Sequence, residues 1–488
     1  MPEDTSVKTG VPIRWPDMDT AAYRVRKMQT KLHYWAKDDP SCRFSDLFNL
    51  VYDPAFLMHA WERVSRNKGS RTAGVDKVTV AQIDTFLGVE AFLEQVRDEL
   101  KSRTYRPSPV RQVKIPKGGG KFRSLGIPTV KDRVVQAALK LVMEPIYEAD
   151  FESVSYGFRP GRRAQDAIAH IHRLASEPTN YTWVFEADIA ACFDTIDHTY
   201  LMGKVRRRIK DKRVCALVKS FLKSGVMTAH GDVGGSPAGT PQGGILSPLL
   251  ANIALSALDE HFVRQWEPSD WKRRMRKKNG IGNWQLVRYC DDFVVMVSGE
   301  KRHADALRRE VAQVLAPVGL TLSPEKTKTV HIDEGFDFLG FHVRRKRRPG
   351  TLKQYVYTTP SKKSIQEIKD SVRDMTSRST RNQPVDVIIT IVDQKVRGWA
   401  NYFRHGVSSS VFSSVDNFTW WRLARWIRAK HRRTSMATIL SRYTQKKGRG
   451  SITHRGTTYH GASSVALTRY SYRGRNIPTP WRLAPAIQ

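Results

Sequence analysis

The pattern of apolar and polar positions has its clearest feature near residue 290. An apolar run rich in Val and Phe leads to an adjacent pair of aspartates, Asp291 and Asp292, and a second run leaves them. Such runs are typical of buried strands, so the acids are predicted at the tip of a tight hairpin. Neighbouring carboxylates repel when desolvated, which favours a bound Mg²⁺ ion. A polar surface turn is the alternative, and this stretch alone leaves the two interpretations about equal.

A second run supplies a third acid. Residues 183–189 also have the pattern of a strand, and the run ends near Asp188. A strand that brings Asp188 beside the hairpin would complete a two-metal site. Such sites hold two cations ~3.5–4 Å apart and stabilise the attacking and leaving oxygens of an in-line phosphoryl displacement. The less favoured alternative is that Asp188 caps a helix.

Segments with helical periodicity lie before and after these strands in the sequence, and the pattern is mainly helical after residue 361. Apolar residues at three- and four-residue spacing predict helices over 21–36, 44–65, 132–151, 249–258, 303–315 and 385–403. An alternating basic pattern with three glycines at 118–120 predicts a hairpin over residues 110–128.

The predicted basic hairpin has the chemistry to bind a triphosphate. A cationic hairpin with a flexible tip can close over β- and γ-phosphate oxygens. We predict Lys121 and Arg123 as the triphosphate ligands, with Lys117 as a further candidate. An edge hairpin that its lysines keep soluble is the alternative.

Charge and composition point to a polyanionic partner. The 488 residues include 82 Lys and Arg against 47 Asp and Glu, a formal net charge of +35. Nucleic acid is the first candidate partner and an anionic membrane the second. The sequence contains neither a long charge-free apolar run nor a secretory signal pattern. Four widely separated cysteines favour neither a disulfide framework nor a zinc site, and they fit a reducing cytoplasm.

Several motifs, in order, resemble one enzyme family. Asp188 with Phe193 five positions later, and Tyr-Cys-Asp-Asp at 289–292, resemble the palm of reverse transcriptases. The segment 236–248, with Pro-Gln-Gly inside it, is similar to that of bacterial group II intron reverse transcriptases. Tyr-Gly-Phe-Arg-Pro-Gly at 156–161 resembles the same family. The resemblance extends over roughly residues 21–481.

The resemblance implies an α/β (α+β) right-hand polymerase. It implies fingers and a palm, an α-helical thumb and a small basic C-terminal region, with a palm boundary at a Pro-Gly turn at 349–350. The expected divisions are an N-terminal basic extension at 1–43, fingers and palm at 44–348, a helical thumb or maturase domain X at 355–440, and a DNA-binding region at 441–488.

The resemblance also implies four catalytic residues and one further metal ligand. Two Mg²⁺ ions are expected on Asp188, Asp291 and Asp292, with Ile189 as an additional metal ligand. A primer 3′-hydroxyl would then attack the α-phosphate of a dNTP. Lys326 falls where the family carries a lysine near the leaving pyrophosphate, which predicts a general acid.

Further residues are expected to position the nucleotide and template. Phe193 would lie under the sugar and exclude a 2′-hydroxyl, unless it is an ordinary core residue. Gln242 would position template or nucleotide through its amide. Arg159 is predicted to contact template or nucleotide, whereas Tyr156 and Phe158 fit a structural turn equally well.

Cations on predicted helices and loops are candidates for phosphate contacts, with a solvated face as the alternative. The predicted nucleic-acid contacts are Arg24, Lys27, Lys31, Arg71, Arg422, Arg425, Arg428, Lys430 and Arg432. Trp399 and Trp420 have helical spacing and are assigned to the core.

We therefore expect an RNA-directed DNA polymerase that copies a group II intron during target-primed reverse transcription and, by resemblance alone, assists its splicing. The expected partners are intron RNA, an RNA template, a DNA primer or target, and dNTPs, with no membrane and a bacterial cytoplasmic location. Because no cysteine follows Cys290, we expect no endonuclease of the kind that many members carry. The alternatives are a related reverse transcriptase of repair, defence or spacer acquisition, and a splicing factor that no longer polymerises.

Overall fold

The computed structural model describes residues 14–118, 121–228, 233–234, 238–240, 243–266, 269–348, 350–431, 433–446, 449–474 and 477–481. Helices and small sheets alternate along these ranges, and helices dominate after residue 361, as the periodicity predicts. None of the helices in these ranges combines the length and the apolar character needed to cross a membrane.

The N-terminal part packs helices beside a basic hairpin. Its elements are α1 (Met18–Asp38), α2 (Phe48–Val51), α3 (Pro54–Ser65), α4 (Val80–Gln82), α5 (Val89–Lys101), β1 (Val110–Gly118), β2 (Lys121–Ile127) and α6 (Val130–Asp150). Asp17, Asp53 and Thr129 cap α1, α3 and α6 by accepting hydrogen bonds from backbone N–H groups. The stretch 44–65, predicted as helical, is divided by the cap Asp53 and by Pro54, which begins α3.

The central part is built around a four-stranded antiparallel sheet. Its elements are α7 (Ala164–Ala175), β3 (Trp183–Asp188), α8 (Cys192–Thr195), α9 (His198–Arg208), α10 (Lys212–Leu222), β4 (Val226–Met227), β5 (Val233–Gly234), α11 (Ser247–Gln265), α12 (Asp270–Lys278), β6 (Asn283–Tyr289), β7 (Asp292–Ser298), α13 (Lys301–Leu315) and β8 (Lys328–His331). The strand order is β6-β7-β3-β8, whereas β1 and β2 belong to a second sheet of order β2-β1-β4-β5.

The central sheet has a hydrophobic core on each face. Phe185 and Val295 belong to the core that contains α1, α3, α6, α11 and α13. Their strand neighbours Val184 and Val294 belong to the core shared with α7 and the C-terminal helices. Alternation along each strand produces this division.

The C-terminal part begins with a three-stranded sheet. Its elements are β9 (Phe336–Phe338), β10 (Phe341–Arg347), β11 (Gln354–Pro360), α14 (Lys362–Met375), α15 (Val385–Phe403), α16 (Ser409–Lys430), α17 (Met436–Tyr443), β12 (Thr444–Lys446), β13 (Arg449–His454) and β14 (Thr457–Thr458). Short 3₁₀ turns occur at Lys68–Arg71, Ala316–Val318, Pro324–Lys326, Arg378–Thr380 and Ala462–Ser464, and a π turn at Ile83–Leu87.

The hairpin of β10 and β11 corrects the expected palm boundary. The two strands pair along their whole length, from Phe341 opposite Pro360 to Arg347 opposite Gln354. A division at 349–350 would cut between paired strands. The change to helices comes instead at Ser361, which caps α14.

The last part of the chain returns across the molecule. Arg473 donates to both carboxylate oxygens of Asp166 in α7, at 2.8 and 2.6 Å. Trp481 Nε1 donates to Gln29 Oε1 in α1 at 3.0 Å. We call residues 465–474 and 477–481 the C-terminal strap. The expected DNA-binding region thus comprises a small sheet, β12-β13-β14, and this strap.

Candidate active site

The strand register brings two of the three aspartates together. Asp188, the last residue of β3, is the direct antiparallel partner of Asp292, the first residue of β7. Asp291 lies beside them in a two-residue turn, because Tyr289 pairs with Asp292. The turn begins at Cys290, whose φ of 58° is left-handed. The predicted hairpin tip is confirmed.

A lysine ammonium lies among these carboxylates. Lys326 Nζ is 2.5 Å from Asp188 Oδ2. The hydrogen bond to Asp188 and the negative charges of Asp188, Asp292 and Asp291 raise the pKa of Lys326. All three carboxylates therefore act on one cation.

The three aspartate carboxylates have the chemistry to bind a hard cation, but their side chains would have to move to surround one. Within the described ranges, no three His, Cys, Asp or Glu side chains are arranged to hold a metal ion. The oxygen donors themselves are those Mg²⁺ takes, and the Lys326 ammonium already holds a positive charge against Asp188. The side chain of Ile189 is buried and has no donor atom, so Ile189 would bind a metal through its main-chain carbonyl oxygen.

A buried arginine, which the sequence analysis did not single out, holds the hairpin in place. Arg288 is fully buried and donates through Nε and Nη2 to the two oxygens of Asp259, at 2.7 and 2.5 Å. Its Nη1 donates to Asn252 Oδ1 and to the carbonyl of Cys290, and its Nη2 also donates to Ser155 Oγ. All five guanidinium donors are thus used. The sequence does contain a signal for this role, because Arg288 is a single cation inside an apolar run that predicts a strand.

The Tyr-Gly-Phe segment packs against this hairpin. Tyr156 N donates to the carbonyl of Arg288 at 2.8 Å, and the Tyr156 side chain is fully buried. A Cβ on Gly157 would lie 2.4 Å from Cys290 N, so the close approach requires glycine. Phe158 is 54% exposed. The structural interpretation is confirmed for Tyr156.

Two loops converge behind the aspartates. Thr240 N donates to the carbonyl of Phe193 in α8, and a Cβ on Gly239 would meet that carbonyl at 2.6 Å. Gln136 Oε1 of α6 accepts from Ile245 N at 2.8 Å, which holds the start of α11. Phe193 itself is buried, and its role as a sugar gate stays a prediction.

Comparison with known proteins agrees with this geometry. The chain matches the family models "Reverse transcriptase (RNA-dependent DNA polymerase)" over residues 115–343 and "Group II intron, maturase-specific domain" over residues 365–444. It is 31% identical over 474 residues to group II intron-encoded protein LtrA of Lactococcus lactis subsp. cremoris, covering 81% of this chain and 76% of that protein. The chain belongs to the group II intron reverse transcriptase and maturase family. Protein YkfC of Escherichia coli is 40% identical over 362 residues, 70% of this chain and 93% of that protein.

Membership of this family confirms the expected fold and enzyme class. The chain is an RNA-directed DNA polymerase with the family's maturase-specific domain, in which α14 to α17 form the thumb. The family generally uses divalent metal ions and binds intron RNA and nucleic-acid substrates. A fission yeast relative, an uncharacterized 91 kDa protein in the cob intron, is 29% identical over 75% of this chain and 52% of its own length.

The fingertip hairpin of this reverse transcriptase reaches toward the palm. Arg123 lies opposite Ile115 in the β1–β2 pair. Its positive charge acts to lower the pKa of Asp194 in α8, although burial raises that pKa overall. The side chains of Lys117 and Lys121, and all of Gln242, lie outside the described part of the chain.

The prediction that Arg159 contacts template or nucleotide is wrong. The side chain is buried, and Nε and Nη2 form a bidentate ion pair with Glu148 at 2.8–3.2 Å. Nη1 donates to the main-chain carbonyls of Glu152 and Ser155. The guanidinium therefore ties the turn after α6 to that helix.

The other predicted phosphate contacts divide into two groups. Arg422 donates to the carbonyl and hydroxyl of Thr376, and Lys430 donates to the carbonyls of Arg381 and Gln383, so both hold the thumb together. Arg432 lies outside the described ranges. The cations that are exposed are Arg24, Lys27, Lys31, Arg71, Arg425 and Arg428.

The assignment of Trp399 and Trp420 to the core is confirmed, and a third tryptophan of the thumb, Trp421, is exposed. Trp399 packs on Phe403 and Phe412, and Trp420 is partly buried with its Nε1 donating to Gly450 O. Trp421 is 42% exposed, and the Arg425 guanidinium lies 6.0 Å from its ring centre. Helical spacing alone does not separate the two neighbouring tryptophans.

Proposed function

We propose that this enzyme extends a DNA primer on an RNA template by two-Mg²⁺ nucleotidyl transfer at Asp188, Asp291 and Asp292. The observation that carries the proposal is the direct pairing of Asp188 with Asp292 beside the Asp291 turn. Two divalent ions on such carboxylates stabilise the attacking and leaving oxygens of the displacement. The carbonyl of Ile189 is the proposed additional ligand.

In the proposed mechanism the side chain of Lys326 takes two positions. In the first, its ammonium lies against Asp188 and neutralises that carboxylate. More than half of the Lys326 side chain is exposed, so it has room to swing from Asp188 toward the leaving pyrophosphate and donate a proton there. Lys326 is in that role a catalytic residue.

The fingers and α8 would select and hold the nucleotide. Arg123, Lys117 and Lys121 are the proposed triphosphate contacts, and the amide of Gln242 is proposed to position template or nucleotide. Arg123 is favoured because its charge already acts on Asp194, next to Phe193. Phe193 would lie against the sugar and exclude a 2′-hydroxyl.

Intron RNA and target DNA are the proposed macromolecular substrates. The exposed cations of α1 and of the thumb helix α16 provide two separate phosphate-binding faces, which include Lys27 and Arg425. In this proposal the enzyme assists intron splicing and then copies the intron from a primer in the target DNA. A bacterial cytoplasmic location stays a prediction.

The test is primer extension on an RNA template with Mg²⁺ and dNTPs. We compare the wild type with Asp292→Asn, and with Asp84→Asn as a control that changes an exposed acid in the π turn. The expected result is cDNA from the wild type and the control, and none from Asp292→Asn. Wild-type rates from folded Asp292→Asn would overturn the site. No cDNA from wild type that binds RNA would favour the splicing factor.

A further inference from the structure

A cavity of about 790 Å³ lies away from the aspartates. Its walls are α7, the β10–β11 hairpin, the loop after α15 and the C-terminal strap. Asp188, Asp291, Asp292 and Lys326 do not line it. Its volume falls within the range of ligand-binding sites.

Internal contacts hold the walls of this cavity together. Thr468 N of the strap donates to the carbonyl of Arg404 at 3.1 Å, and further along the strap Arg473 is paired with Asp166 of α7. His172 Nε2 of α7 contacts the carbonyl of Val356 in β11 at 3.2 Å. The cavity is therefore built by the fold.

Five arginines line the cavity, and the three that are exposed come from three different elements. These three are Arg173 of α7, Arg348 directly after β10 and Arg469 of the strap. Within the described ranges, none of the three forms an ion pair with a carboxylate. Glu177 is the one acidic residue among the lining residues described. The cavity thus favours an anion with several charges.

Aromatic rings face the same space. Tyr355 is 43% exposed, and Tyr357 and Tyr472 also line the cavity. The Arg173 guanidinium lies 5.4 Å from the centre of the Tyr472 ring. Cations interleaved with tyrosines match the way proteins bind unpaired nucleic acid, with phosphates on arginines and bases stacked on rings.

We propose that this cavity binds an unpaired segment of RNA or DNA outside the catalytic cleft. Stacking on Tyr355 requires bases that are free of a complementary strand. Arg348 and Arg469 lie on two different walls, so a strand that crosses the cavity has a cation on each side. The site goes beyond the proposed polymerase function and does not depend on it.

The test measures binding of a labelled ten-nucleotide strand to full-length protein whose catalytic cleft is saturated with an unlabelled primer–template duplex. Oligouridylate and oligothymidylate are the two probes, with a labelled duplex and a free mononucleotide as comparators. The variant Arg348→Ala/Arg469→Ala removes two cavity cations. Its matched control, Lys219→Ala/Arg309→Ala, removes two exposed cations of α10 and α13.

We expect the cavity variant to bind the strand about tenfold more weakly, and its slope of log K against log salt to fall by about 1.4, for two lost phosphate contacts. Tyr355→Ala should weaken binding about tenfold without changing the salt slope. Primer extension by both variants on short annealed substrate should be unchanged, which separates this site from the polymerase site.

Four results would overturn the proposal. They are no strand binding by the saturated wild type, equal binding by the cavity variant, an equal loss in the matched control, and equal binding of the duplex. Direct binding of the mononucleotide without binding of the strand would overturn the proposal and assign the cavity to a free nucleotide. A difference between the two probes shows whether RNA or DNA is preferred.

Discussion

The guanidinium of Arg288 and the carboxylate of Asp259 form a bidentate ion pair inside the palm, with both side chains completely shielded from solvent. The same guanidinium donates to the carbonyl of Cys290, the first residue of the turn that carries Asp291. The position of this turn, which is the proposed catalytic turn, therefore depends on a buried charge.

Removal of one partner of this pair should destabilise the enzyme strongly. Asp259→Asn leaves the Arg288 charge buried without its carboxylate, which costs ~3–5 kcal/mol of unfolding free energy. Denaturant unfolding measures this cost, with Asp84→Asn as the control. The double variant Asp259→Leu/Arg288→Met should recover much of the stability, because no isolated charge remains. A single variant within 1 kcal/mol of wild type would contradict this account.

Lys326 should affect both the rate and the use of Mg²⁺. Lys326→Met is expected to lower kcat about 100-fold through loss of the general acid. It should also lower the Mg²⁺ concentration for half-maximal rate, because no ammonium competes at Asp188. Both quantities come from primer extension across a Mg²⁺ series.

The chain offers a closely matched control for Lys326. Lys328 pairs with Glu186 at 3.3 Å, and the side chains of both lysines are 58% exposed. Lys328→Met should leave kcat and the Mg²⁺ dependence near wild type. Equal effects of the two variants would mean that Lys326 acts only through its general positive charge and not as a general acid.

Phe193 should control the choice of sugar. Phe193→Val is expected to raise the relative use of NTPs over dNTPs at least about tenfold, since space for a 2′-hydroxyl is created. Single-nucleotide kcat/KM values measure the ratio. Phe262→Val in α11 shortens another buried ring and should lower stability without changing the ratio. An unchanged ratio in Phe193→Val would assign Phe193 to the core alone.

Asp211 should make stability depend on acidity. Hydrogen bonds from Arg213 and from the N–H groups of Leu47 and Phe48 lower its pKa from 3.8 to about 2, against an opposing effect of burial. A depressed folded-state pKa stabilises the protein above the unfolded value and loses that effect as pH falls toward 2. Asp211→Asn should cost about 2 kcal/mol at pH 7.

Denaturant unfolding of the wild type and Asp211→Asn at pH 7 and pH 3 measures this dependence. The difference between the two proteins should be smaller at pH 3, where unfolded wild-type chains are largely protonated at this position. The same difference at both pH values would mean that the side chain contributes through neutral hydrogen bonds alone.

Local patterns were sufficient for several elements and for the hairpin tip. Periodicity predicted α15 with both ends correct, and the apolar runs around Asp291 and Asp292 predicted the turn between β6 and β7. These features depend on contacts between near neighbours in the chain, and burial on one face leaves a period in the sequence.

Local patterns failed where a distant partner decides the role. Arg159 lies in a basic, aromatic segment typical of nucleic-acid contacts, yet Glu148 of α6 binds it internally. Arg422 and Lys430 belong to a predicted cationic face, yet their donors reach carbonyls of other thumb segments. Exposure of a cation is decided by which element packs against it.

The sequence by itself determined the enzyme family and most helices, and it predicted the three carboxylates, because family motifs and helical periodicity depend on residue type and spacing. Tertiary structure alone decided the register that pairs Asp188 with Asp292, the buried partner of Arg288 and the return of the strap to α1. Those contacts join residues far apart in the chain, and their energies depend on burial and geometry that spacing does not encode.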